Sequence, residues 1–499
     1  MLPIYVQQRI VQFAYGDQYC SFKWRLALGL VSNHWFNCVA RMIERDSDDG
    51  DFWFDPTHFK EDATHIINTN NSRCLLSYSM RLTVNVKYQL MDCPIHCPEV
   101  LRDLLARGTI KHLHLRMSLN NSLMRWSLDK LIPIINEHIT SVSFVNTPSL
   151  PAELLGFVTS LTNVDVLALP PLDTVALTHI GEINAMGRCL RSLSVRYAPS
   201  IDPLFTSLHL PALTSFTFQC SLFDFPHRDS LVVFLRGCLN LRELVIQDQI
   251  TCSEMPVLFA DNYRSFLEYL IDNQTITSLV MGTPLNEQFV MEHLLTKPAL
   301  RHLSMGSLYR YNDDQITDAE RELWTTPFPS SSSSSSACVP SSSDIPFVNT
   351  TLKHLLLNTM YPSSLAHDPT KYCRALVKLH IETETCLDIG QSLDWLANST
   401  TIKEFVLEHC EELNAKCCTK LFGSLSHNQS IERLEINGPT NKRFGSNILS
   451  YLETNQSIRV LRISDDILAT IVSSSKSTHY QLAIDKQYFY KEYTRVLPS

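Results

Sequence analysis

The sequence predicts an α/β solenoid, a stack of short parallel strands on a concave face backed by helices on a convex one. A small all-α segment precedes it. Three observations carry this expectation. A six-residue unit with apolar residues at its first, fourth and sixth places recurs along the chain, its copies return at a near-constant interval, and stretches with apolar residues at three-to-four spacing lie between them. A strand and helix of this size cannot bury their apolar faces alone, whereas stacked copies share one continuous core.

The copies start at Ile110, Ile139, Val164, Leu190, Leu213, Leu241, Ile276, Leu300, Leu352, Leu376, Ile402, Ile431 and Ile458. In a chain that is 44% hydrophobic, one such match arises by chance at about one position in twelve, so a single copy means little. The spacing decides. Apart from a 52-residue step between Leu300 and Leu352, the starts lie 23 to 35 residues apart with a mean of about 27. Alternation at the fourth and sixth places puts both side chains on one side of an extended strand. Helical periodicity between units is clearest at Asn414–Leu425 and Phe444–Leu452. Asn136, Asn273, Asn349, Asn428 and Asn455 each sit three residues before a unit and Asn398 four before, which reads as a turn or cap ahead of the strand.

Composition narrows the function classes. The 499 residues carry 42 basic and 51 acidic side chains, a net charge of −9, so a nucleic-acid footprint finds no support. No apolar run reaches the ~18 residues a bilayer span needs. The opening MLPIYVQQRIVQFAYG lacks the charged start and cleavage site of a secretory signal, so the expected location is cytoplasmic and/or nuclear. Fifteen cysteines, an odd count in a long chain, read as reduced and buried thiols. Only 14 glycines occur, and there is no GxxxxGK(S/T), GxGxxG, GxSxG or HExxH. No catalytic residue and no cofactor are expected.

The one metal-like run is Cys93-Pro94-Ile95-His96-Cys97, which offers at most three ligands where zinc wants four. It reads as structural thiols, and no metal site is expected. Cys417-Cys418 lies in a helix-like stretch and reads as core packing.

The organisation that follows is residues 1–45 as a helical segment, 46–105 as a connecting region with a degenerate first repeat or cap, and 106–307 as a first repeat block. Residues 308–348 form an insertion, 349–475 a second block and 476–499 a C-terminal cap. The insertion contains the serine run Ser330–Ser336, which cannot bury enough apolar surface to offset its ordering entropy.

The repeated LxxLxL-type unit resembles the leucine-rich-repeat family over residues 82–470, in its longer helix-backed subtypes. That family often has Asn or Cys eight places after the first Leu. Here only Cys410 fills that place, with Ser118, Thr147 and Ser221 as hydroxyl substitutes, so the asparagine ladder is expected to be absent and the curvature irregular.

The first forty-five residues follow another pattern. Val6, Ile10 and Phe13 share a helical face, and a second helical run is expected over Lys23–Ile43. The set Leu2, Pro3, Ile10, Leu30, Val31, Ser32, Trp35 and Val39 resembles the F-box, and the polar link Asp17–Arg25 is longer than usual for that motif. The resemblance implies docking on a Skp-type adaptor and a cullin ligase core, with the chain acting as a substrate-recognition subunit for an unidentified protein substrate. Without the resemblance, the segment reads as a cap on a repeat scaffold with no ubiquitin link. A small-GTPase regulator is a third class that no residue singles out.

On the concave face, places three, five and seven of each unit carry the variable residues. The early copies lean basic, with His114, Arg116, Ser194, Arg196, Thr217 and Gln219, and the late ones acidic. His380, Glu382, Glu408, Glu435, Asn437 and Arg462 are the candidate substrate-binding residues, with a basic partner segment expected at Glu382, Glu408 and Glu435.

Overall fold

The structure is a computed structural model that describes residues 27–45, 51–54, 81–86, 111–117, 136–145, 158–169, 180–196, 202–219, 228–247, 260–282, 285–286, 289–309, 349–359, 368–383, 393–409, 415–438, 457–464, 480–485 and 490–495. Residues 7, 10, 11, 14, 156, 389 and 455 are described as well. The chain divides into two compact units, residues 1–219 with 233–241, and residues 220–232 with 242–499.

In the first unit, strands β1 (Asp51–Phe54), β2 (Arg81–Val86), β3 (His112–Met117), β4 (Ser141–Val145), β5 (Val166–Leu169), β6 (Ser192–Arg196) and β7 (Ser215–Gln219) pair parallel in chain order. In the second, β8 (Glu243–Gln247) pairs with β9 (Ser278–Met281), and β10 (Leu285–Asn286) lies against the end of β11 (His302–Tyr309). From β9 the parallel ladder runs through β11, β12 (His354–Thr359), β13 (Lys378–Thr383), β14 (Glu404–His409), β15 (Arg433–Asn437) and β16 (Val460–Ser464). A hairpin of β17 (Tyr480–Asp485) and β18 (Tyr490–Arg495) closes on β16 antiparallel. Parallel strands one after another, joined by helices or helical turns, make each unit an α/β solenoid-like stack.

The strands form where the six-residue unit stands, because its apolar places go inward. Leu376, Leu379 and Ile381 are fully buried, as are Ile402, Phe405 and Leu407 in the next copy and Ile431, Leu434 and Ile436 after it. Each such side chain is worth roughly 1.5–3 kcal/mol when removed from water. In the first unit Phe205, Phe216, Phe218 and Phe234 form an aromatic layer with ring centroids 5.1–6.3 Å apart.

The described connecting helices are α1 (Asn33–Arg45), α2 (Ile180–Ala185), α3 (Asp202–Ser207), α4 (Arg228–Gly237), α5 (Ala260–Asp272) and α6 (Ala415–His427). The last of these falls where sequence periodicity puts it, whereas residues 444–452 lie outside the described residues. Other connections use a single helical turn, as at Asp394–Asn398 and Pro369–Lys371. The expected continuous run over Lys23–Ile43 is broken: residues 29–32 form a turn, with Leu30 N–H bonded to Ala27 O, and α1 begins only at Asn33. Ser32 sets that start, its Oγ accepting from the Trp35 N–H at 3.2 Å as an N-cap does. No described helix is long and apolar enough to cross a membrane.

An asparagine ladder is present after all among the described residues, but ahead of three strands, β12, β15 and β16, rather than after them. Asn428, fully buried, accepts from the N–H groups of Ser430 and Ile431 at 2.8 Å, the local cap expected from sequence. Its Nδ2 reaches back into the preceding repeat and donates to the carbonyls of Leu396 (2.6 Å) and Ser399 (3.0 Å). Asn455 repeats this on Leu425 and Asn428, and Asn349 on Lys297 and Leu300. These bonds add a side-chain donor to carbonyls that also accept from a backbone N–H, as Leu396 does from Ser399, or from a hydroxyl, as Ser399 does from Ser430 Oγ.

The same place, three before the unit, is filled differently in several other repeats. Asn273 caps its own strand through Thr275 and Ile276. Cys373 and Cys238 fill it as buried thiols that desolvation pushes up to about 12. Asn398 is exposed and does not join, its neighbour Ser399 taking the buried place instead. At Gly187 a Cβ would stand 2.7 Å from His209 O, so only glycine fits. Lys297 is the exception in charge. It is 7% exposed, its Nζ donates to Ile271 O at the end of α5 (2.9 Å), and burial lowers its pKa to about 8 against a weaker pull from Asp272.

The 52-residue step does not interrupt the ladder, since His302–Met305 pair with His354–Leu357 residue for residue. Strand β11 runs to Tyr309, two residues into the segment expected to be inserted, and the serine run lies outside the described residues.

Two predictions follow from this column. Asn428→Asp removes both backward donors and sets a carboxylate against two carbonyls, so chemical denaturation should show a loss of about 2–4 kcal/mol at pH 7. The deficit should shrink on acidification, because a protonated carboxyl regains a donor. For Lys297 the folded pKa lies below the unfolded one, so the unfolded chain holds more protons and stability rises with pH from about 8 towards the ordinary lysine value. The stability of wild type relative to Lys297→Met should therefore improve by about 1 kcal/mol between pH 7 and pH 9.

Candidate binding face and N-terminal docking surface

In-register pairing of β13, β14 and β15 stacks equal places of successive repeats. Glu382 stands beside Glu408 and Glu408 beside Asn437, while His380, Val406 and Glu435 form the row next to them. Their side chains leave the sheet on the face opposite Leu379 and Ile381, as strand alternation requires. Val406 is only 6% exposed although it is on the outer face, and gives the polar cluster an apolar floor. Nothing in the sequence pattern singled it out.

Five of the six candidate residues thus come together. His380 Nε2 lies 3.5 Å from Glu408 Oε1 and 3.8 Å from Glu382 Oε1. Asn437 Nδ2 donates to Glu408 Oε1 (3.1 Å) and to Glu435 Oε1 (3.3 Å). Gly438 follows at φ 132°, a backbone conformation that favours glycine, and turns the chain away after Asn437. Arg462 is opposite Glu435 in the ladder, and its side chain lies outside the described residues.

The nearby imidazole of His380 is the largest influence on Glu408 and holds its carboxyl below the usual carboxylate range. Burial opposes this and the Asn437 amide assists it. The 3.5 Å approach is at the outer limit of hydrogen bonding, and Nε2 itself is buried without a hydrogen-bond partner.

The early candidates belong to the first unit. Ser194 pairs with Thr217 and Arg196 with Gln219 in the ladder of β6 and β7, while the side chains of His114 and Arg116 lie outside the described residues. Cys417 and Cys418 are buried on α6, which suits packing rather than redox chemistry. Cys93–Cys97 lies outside the described residues.

At the N-terminus Val11, Leu28, Phe36, Cys38 and Val39 bury one another, with Ala14 and Trp35 packed alongside. Trp35 Nε1 donates to Gln7 Oε1 at 3.2 Å. Three apolar side chains of the F-box-like set face water instead: Ile10 (38% exposed), Leu30 (85%) and Val31 (62%). Val39 and Trp35 therefore belong to the segment's own core or its edge, whereas Leu30 and Val31 ride on the turn before α1. Leu2 and Pro3 lie outside the described residues.

The carboxylate cluster has a measurable signature. In EDTA-treated protein, carbon-13 NMR titration should find Glu408 protonating below the ordinary glutamate range, with His380→Ala moving it up more than Asn437→Ala. Because the folded pKa is depressed, this stabilisation is present above the ordinary range and is lost as pH falls through the folded value.

Comparison with protein-family models and with curated proteins finds no match to this chain.

Proposed function

We propose that the chain is a protein-binding adaptor whose N-terminal segment docks on a Skp-type subunit of a cullin ubiquitin ligase and whose repeat face recruits a protein substrate. One observation carries the reading. Leu30 and Val31, large apolar side chains on a turn that is fixed by the Ser32 cap and backed by a buried cluster, stand open to water. A segment this short gains little stability by exposing them, and exposed aliphatic anchors on a rigid support are what a partner surface uses.

The mechanism is proximity. Holding a substrate near ubiquitin carried by another subunit raises the effective concentration of its lysines, and no catalytic residue of this chain is required. On the repeat face, Glu382, Glu408 and Glu435 offer negative charge to a basic substrate segment and steer its encounter.

Purified full-length chain should capture a Skp-type adaptor, and Leu30→Asp and Val31→Asp should each weaken capture at least tenfold without loss of helicity, since neither side chain is buried. Trp35→Ala is the less clean variant, because Trp35 also packs on the cluster. Failure of correctly folded wild type to bind would leave a repeat scaffold with capped ends. Charge reversal at Glu382, Glu408 and Glu435 together should abolish salt-sensitive capture of basic peptides, with adaptor binding intact.

A further inference from the structure

His380, Glu382 and Glu408 are more than an acidic patch. Their ligating atoms, one imidazole nitrogen and two carboxylate oxygens, all lie within 4.8 Å of one another. We propose that these three side chains bind a divalent transition-metal ion, zinc being the best match to the donor set.

The distances suit the ion. Tetrahedral zinc with bonds of roughly 2.0–2.2 Å holds its ligand atoms about 3.3–3.5 Å apart. The gap from His380 Nε2 to Glu408 Oε1 is already 3.5 Å and that to Glu382 Oε1 is 3.8 Å. Small side-chain rotations complete the set.

The chemistry suits it as well. His380 Nε2 is buried, without a hydrogen-bond partner, and stands between two carboxylates. A buried nitrogen in that condition needs either a proton shared with the acids or a cation to ligate. An imidazole donor selects zinc and its transition-metal neighbours over calcium and magnesium, which prefer oxygen alone. The supporting shell is built in. Asn437 donates to Glu408 Oε1 and orients it, as outer partners of metal ligands do. All three ligands stand on paired strands, so the backbone holds their spacing without a loop. The side chains of Glu382 and Glu408 are 34% and 41% exposed, which leaves one side open for water or a ligand from a partner. The inference is independent of the adaptor reading.

The test is equilibrium dialysis of the folded full-length chain against zinc under reducing conditions, with bound metal counted per chain. The chain's fifteen cysteines can take zinc elsewhere, so the readout is the difference between wild type and variants. Wild type should hold one more ion than His380→Ala and than the near-isosteric double variant Glu382→Gln/Glu408→Gln. Asn437→Leu should keep the site but weaken it roughly 10- to 100-fold, and Glu404→Gln, a half-buried carboxylate of the same sheet that pairs with Lys378 instead, should bind like wild type. Cobalt substituted into wild type should add a visible band of tetrahedral nitrogen–oxygen ligation that His380→Ala lacks. Equal metal content in wild type and both cluster variants would overturn the proposal. So would calcium competing as well as zinc, or nitrogen-15 NMR showing His380 protonated at neutral pH in the presence of zinc.

Discussion

The stack depends on how each repeat satisfies the backbone it cuts off from water. Turning out of a helix or helical turn into a strand leaves carbonyls and N–H groups that point into the next repeat, and a buried unsatisfied group costs about 1–3 kcal/mol. Asn428 and Asn455 answer this with one side chain facing two ways: the oxygen caps the strand ahead, and the nitrogen bonds two carbonyls of the repeat behind. Where asparagine is absent, the backbone adjusts. Leu376 N–H bonds back to Cys373 O and Leu300 N–H to Lys297 O, so a main-chain oxygen replaces the side-chain one. The Lys297 carbonyl still accepts from Asn349, which shows that the two solutions can alternate along one column.

Much of this architecture is legible in the sequence because burial in a strand has a period. The first, fourth and sixth places of the unit predict which side chains go inward, and from Leu190–Val195 to Ile431–Ile436 they do. Asn273, Asn349, Asn428 and Asn455 are legible as markers whose local capping follows from type and position, whereas Asn136 accepts from Thr162 of the next repeat and Asn398 stays exposed. The backward bonds are not legible, because the acceptors lie about thirty residues upstream and come together only through stacking. The kinship of Lys297, Cys373, Cys238 and Gly187 is hidden for a related reason, since one structural place is filled by an ammonium, a thiol or no side chain at all.

The candidate site divides in the same way. Strand register from the repeat suffices to bring His380, Glu382, Glu408, Glu435 and Asn437 to one face. It does not reveal that the His380 nitrogen is left without a partner or that Val406 forms a floor, because both depend on side-chain rotation and on neighbours across two strands. At the N-terminus the apolar pattern runs on through Gly29–Ser32, so periodicity alone reads one helix. The Ser32 cap competes with that continuation and wins, and the resulting turn lifts Leu30 and Val31 off the core.

The parallel pairing of β11 with β12 has an evolutionary corollary. Forty-four residues separate Tyr309 from His354, yet His302–Met305 pair with His354–Leu357 residue for residue before the register shifts ahead of Leu308, much as β12 pairs with β13 across only eighteen residues. The entropy of tethering chain ends grows only logarithmically with tether length, by about 0.6 kcal/mol per doubling. Additions or deletions in that stretch are therefore nearly neutral for the architecture. Lineages could lengthen, trim or decorate it with new recognition signals while the repeats on either side keep their own selection pressures.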